Sequence, residues 1–175
     1  MIAARREVGT LSGFGAPIAP WPGLPLAAGW PHELGARLLS AAGLVAGLEV
    51  SVVPDLPSDA TALAAALGVT DSRTVVLVLA DGSTTRGPRA PGGEDPLGAV
   101  FDTEIGHALQ SGCVLGLDQD MARALGCRGL GGIALFTALP VAGTGPDPAA
   151  YEAELRYEEA PIGVGYFVAV RPGRP

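Results

Sequence analysis

Residues 74–83, T-V-V-L-V-L-A-D-G-S, hold an unbroken apolar run that stops at a polar turn, and no other stretch limits the folds open to this chain as strongly. A strand with one wet face alternates apolar with polar residues, whereas Val75, Val76, Leu77, Val78, Leu79 and Ala80 do not alternate. The run is therefore expected to be covered on both faces, as parallel strands between helices are. In open α/β sheets the ligand crevice lies beyond the carboxyl ends of such strands. Asp81, Gly82 and Ser83 are thus the first candidate ligand-binding residues, although an ordinary turn uses the same residue types.

The flanking pattern agrees with an α/β chain. Glycines and prolines break up residues 1–25, which read as an extended loop anchored by Leu11, Phe14, Ile18 and Trp21. From about Pro31, Leu34, Leu38, Leu39 and Ala42 form a helical stripe that Gly43 or Gly47 can end. Residues 48–53 alternate as a short strand, and Ser58 caps a further helix bearing Leu63 and Leu67 and stopping at Gly68. Helix, strand, helix and strand in this order predict right-handed crossovers and a mostly parallel or mixed central sheet flanked by helices on both faces.

Beyond the turn, residues 84–93 read as a loop whose two cations, Arg86 and Arg89, are suited to an anionic ligand. Asp95 is a good N-cap with Pro96 in the first helical position, and the helix runs to about Gln110 on Leu97, Val100, Phe101, Ile105, Ala108 and Leu109. A second helix is expected from Asp118 to Gly126. Residues 129–139 suit a buried helix or a strand, with helix preferred, and residues 143–148 read as a loop. The end of the chain reads as a β-hairpin around Ala160-Pro161, with Gly163 and Gly165 marking close backbone approach at the start of its second strand.

With 175 residues and 48% hydrophobic content, the chain is long and apolar enough for one domain with a real core. A net charge of -7 and only 11 scattered Lys and Arg residues argue against nucleic-acid binding. No stretch reaches the ~20 apolar residues that span a bilayer, so no membrane partner is expected. Cys113 and Cys127 form neither a metal-spaced pair nor a disulfide framework, which suggests a reducing cytoplasm.

Glu104 and His107 are candidate catalytic residues. Three positions apart on the expected helix, with Glu104 inside the apolar stripe, they have the spacing of an acid/base pair, and a helix edge reaching water would read the same way. A cofactor-free enzyme built on Asp81, Ser83 and this pair requires all four groups to converge. Nucleophile-elbow, phosphate-loop and dinucleotide motifs do not occur.

Several stretches resemble the short actinobacterial-type members of the LigB-like, class III extradiol ring-cleaving dioxygenase superfamily. They are G-T-L-S-G-F-G at residues 9–15 with L-P-L at 24–26, V-L-A-D-G-S at 78–83 with R-A-P-G at 89–92 and F-D at 101–102, and Y-E-E-A-P-I-G-V-G-Y-F-V-A at 157–169. The resemblance implies a mononuclear non-haem Fe(II) held by two histidines and a carboxylate, with open positions for catechol and dioxygen. It makes Glu159 the candidate metal ligand. This chain departs from the family where a first strand with an early histidine is expected, and His32 and His107 match no family ligand motif. The expectation is a non-catalytic or degenerate relative with no cofactor, acting as a small-molecule-binding or assembly protein and forming a homodimer or other homo-oligomer. The alternative is an active Fe(II) ring-cleaving dioxygenase.

Overall fold

Asp95 opens the longest helix of the computed structural model by accepting the backbone N–H of Leu97 at 2.9 Å, with Pro96 in the first turn as its fixed φ favours. The structure describes residues 30–44, 62, 64, 75–113, 117–139 and 153–171. The expected N-terminal loop, the 48–53 strand, the 143–148 loop and all but two residues of the helix after Ser58 lie outside them. By its internal contacts the chain divides into two units, Met1–Val52 and Val53–Pro175.

In the first unit, α1 spans Trp30–Ala41 and buries Gly35 and Ala36, while Leu38 of the expected stripe is 49% exposed. Gly43 N–H to Ser40 O and Leu44 N–H to Leu39 O close its last turn, the paired bonds that satisfy helix-end carbonyls.

In the second unit, α2 (Pro96–Ser111), α3 (Gln119–Ala124) and α4 (Leu130–Ala138) precede a hairpin of β1 (Glu154–Glu159) and β2 (Tyr166–Val170). The described residues are therefore of mixed α/β class, with helices and a two-stranded antiparallel sheet. Asp118 caps α3 through Met121 N–H at 2.7 Å. Within residues 129–139, Leu130–Ala138 forms a helix with Leu130 through Leu135 all buried, which is why the pattern carried no period. Phe101, Ile105 and Leu109 of α2, Leu125, and Leu130 and Ile133 of α4 form the main core, against which Leu155 of β1 and Phe167 of β2 pack. Ala64, helical as expected, packs with Ala134, Leu135 and Leu139 in a second cluster.

Two expectations are corrected. The 75–80 run is not covered on both faces: Val75 is 58% exposed and Leu77 41%. The glycine face of α4 comes against the alternate residues Val78 and Ala80, with Gly132 as the point of approach, and among the described residues no strand pairs with the run. Of the expected α2 stripe, Phe101, Ile105, Ala108 and Leu109 are buried, but the buried face is rotated to take in Gly98, Asp102 and Gly106, and Leu97 and Val100 are exposed. Small residues at 98 and 106 let this side of the helix approach the side chains of Thr85 and Glu158 closely, so it turns inward although it carries an aspartate.

Candidate functional site

The end of the apolar run is held between two other backbone segments. On one side Asp81 N–H reaches Arg128 O at 2.7 Å and Thr84 N–H reaches Leu125 O at 2.9 Å. On the other, Gly82 N–H reaches Gly165 O at 3.2 Å, Gly165 N–H reaches Ser83 O at 2.8 Å, and Arg86 N–H reaches Gly163 O at 3.0 Å. These bonds fix residues 81–86 against the entry to β2, as buried backbone polar groups require.

The face of α2 closes over this segment. Asp102 is completely buried and accepts two hydrogen bonds from one residue, Ser83 N–H to Oδ1 at 2.8 Å and Ser83 Oγ–H to Oδ2 at 2.9 Å. Arg86 Nη1 adds an ion pair to Oδ2 at 3.4 Å. A buried carboxylate is tolerated when charge and lone pairs are met in this way. Close approach makes the arrangement possible: a Cβ on Gly165 would collide with the Asp102 carboxylate, and one on Gly98 would collide with Thr85 Oγ1. Thr85 itself is buried, and its hydroxyl has no hydrogen-bond partner among the described residues.

Charge and burial shape the neighbouring titratable groups. Cys127 Sγ–H donates to Asp81 O at 3.0 Å, and burial, then the charges of Asp102 and Asp81, push this thiol up to about 12. It is a proton-bearing structural thiol, not a nucleophile. Burial also raises the Asp81 carboxyl above its usual range, with Arg128 partly opposing the shift.

The candidate residues therefore separate. Gly82 and Ser83 are buried inside the Asp102 contact, Asp81 is half-buried, and Arg89 is exposed. Arg86 and Glu159 come together, lining an open depression of about 390 Å³ with Glu94, Asp95, Pro96 and Ala99 of the α2 start and with Gly87 and Ala160. Glu104 and His107 are exposed, because the rotation of α2 carries them outward with Val100, and they do not line this depression. Ser83, fully buried, does not meet them either. His32 lies in α1, in the other unit, and its side chain is outside the described residues.

Iron of the expected kind needs two histidines and a carboxylate in a facial array. Among the described residues no three His, Cys, Asp or Glu side chains are grouped to hold a metal, and Glu159, exposed at the end of β1, has no histidine beside it in the depression. The described residues do not fit that centre.

Asp102 is the residue that reading the sequence for function missed. Its signal was present: an acidic residue with Phe101 and Ile105 on either side and glycines four positions before and after it, the spacing of one helix face. No family model matches the chain, and no curated protein or solved structure is similar to it.

Proposed function

We propose that the chain is a LigB-like relative of the class III extradiol dioxygenases that acts as a small-molecule-binding or assembly protein and does not cleave rings. The observation that carries this reading is the pairing of Ser83 with Asp102. Ser83, at the end of the apolar run, is hydrogen-bonded to Asp102 of α2 in a fully buried contact, so it holds the fold and reaches no substrate. The open depression at Arg86 then serves as the ligand site.

In this reading the fold is α/β with a mostly parallel or mixed central sheet, and the exposed apolar side chains of Val75 and Leu77, left uncovered in the single chain, favour a homo-oligomer. The protein works in the cytoplasm. No helix among the described residues is long and apolar enough to cross a membrane.

Anaerobic Fe(II) reconstitution followed by metal analysis and an absorbance assay for ring-opened product tests the reading. The expected result is neither stoichiometric iron nor turnover of catechol or protocatechuate. One iron per chain, with turnover abolished by Glu159→Gln, overturns it in favour of the ring-cleaving enzyme.

A further inference from the structure

We propose that the depression at Arg86 binds a small dipolar molecule carrying both a carboxylate and an ammonium group; the assignment rests on the ligand-binding reading above. Its first element is a restrained guanidinium. Arg86 is fixed at its backbone by Gly163 O at 3.0 Å and at Nη1 by Asp102 at 3.4 Å, and Asp102 is itself held by Ser83. Nε and Nη2 make no hydrogen bond within the described residues, and the side chain remains 28% exposed. A guanidinium positioned in advance at a depression, with donors left unused, is suited to a carboxylate.

The second element is opposite charge in the same depression that does not neutralise Arg86. Glu94 and Glu159 are exposed lining residues with no hydrogen bond or ion pair among the described residues, and Asp95 is engaged at the start of α2. The ion pair of Arg86 is with Asp102, not with any of these three. A lone carboxylate entering here meets Arg86 but is repelled by the surrounding carboxylates, and a lone ammonium leaves the free donors of Arg86 unused. A molecule bearing both groups meets both signs of charge. The remaining lining residues, Gly87, Pro96, Ala99 and Ala160, have small or apolar side chains that leave room for a short carbon chain. At about 390 Å³ the space is near the lower end of the roughly 300–1,000 Å³ typical of small-molecule sites.

Calorimetric titration of the full chain with 4-aminobutyrate, butyrate and butylamine tests this. Saturable binding of 4-aminobutyrate is expected, about fivefold or more tighter than either singly charged probe, the effect of one partly exposed ion pair. Glu159→Gln and Glu94→Gln, both at exposed positions outside the Ser83–Asp102 contact, should weaken 4-aminobutyrate and leave butyrate equal or tighter. Absence of saturable 4-aminobutyrate binding overturns the proposal, as does butylamine binding equally well, which would mark a plain acidic surface. Failure here without iron uptake removes only the ligand assignment, whereas iron uptake with ring cleavage removes the reading beneath it.

Discussion

Ser83 donates both its backbone N–H and its hydroxyl to the carboxylate of Asp102, at 2.8 and 2.9 Å, and both residues are completely buried. Two donors from one residue clamp the turn at the end of the apolar run onto the inner face of α2, a tie between residues 19 positions apart. Removing the acceptor therefore strands the buried Ser83 N–H and leaves the hydroxyl with only the longer bond to Gly98 O at 3.3 Å, while removing the hydroxyl strands no donor. Asp102→Ala is expected to cost more than Ser83→Ala, with roughly 1–3 kcal/mol for the stranded donor. Urea denaturation of the two variants decides; an Asp102→Ala protein as stable as the parent would show that the contact carries no stability.

Two hydroxyls on this segment should behave in opposite ways. Ser83 Oγ–H is satisfied by Asp102, whereas Thr85 Oγ1 is buried without a partner among the described residues. Thr85→Val keeps the branched shape and removes the cost of an unsatisfied polar group, so it should leave stability unchanged or raise it by about 1 kcal/mol, while Ser83→Ala lowers it. A clear loss in Thr85→Val, measured by thermal unfolding, would mean that this hydroxyl has a partner.

Gly165→Ala places a methyl group against the Asp102 carboxylate, and Gly82→Ala places one 2.7 Å from Gly165 O. Both are expected to destabilise by about 1–3 kcal/mol, the usual size of overpacking. His107→Ala, on the exposed side of α2, should change stability by less than ~1 kcal/mol. Similar losses at all three positions would contradict the rotation of α2 described above.

Alkali should destabilise the protein through Cys127. Its folded thiol titrates at about 12 against an ordinary 9.0, so the unfolded chain loses this proton first and stability falls as pH rises through that interval. Cys127→Ala should flatten the fall between those two values. At neutral pH a thiol reagent should modify exposed Cys113 in the native protein and reach Cys127 only after denaturation. Rapid native labelling of both thiols would contradict the burial of Cys127.

Asp81 gives the corresponding effect in acid. Because burial raises its folded pKa, the group favours folding when protonated, and this contribution is lost as pH rises from the ordinary carboxylate range through the raised value. Asp81→Asn should therefore be at least as stable as the parent at pH 7, and its advantage should shrink toward acid pH. An Asn variant less stable at pH 7 than at pH 4, relative to the parent, would reverse the sign.

Local signals in the sequence reached the helices that stop and start on their own chemistry. Asp95-Pro96 and Asp118 set the starts of α2 and α3, and the hairpin with its close-approach glycines was legible from Gly163 and Gly165. These are short-range effects, fixed by which side chain can cap an N–H and which residue admits a second backbone beside it. What tertiary structure alone decided was orientation. Periodicity placed the apolar stripe of α2 on Leu97, Val100, Phe101, Ile105, Ala108 and Leu109, and the structure buries the last four, yet it exposes Leu97 and Val100 and turns Gly98, Asp102 and Gly106 inward. Apolar counting cannot register a face whose advantage is the close approach of other side chains to its glycines and a carboxylate whose donors, Ser83 and Arg86, come from a segment 16 to 19 residues away. For the same reason the union of Arg86 with Glu159 at one depression had no signature in the chain, since 73 positions separate the two residues and only the folding of β1 beside the start of α2 brings them together.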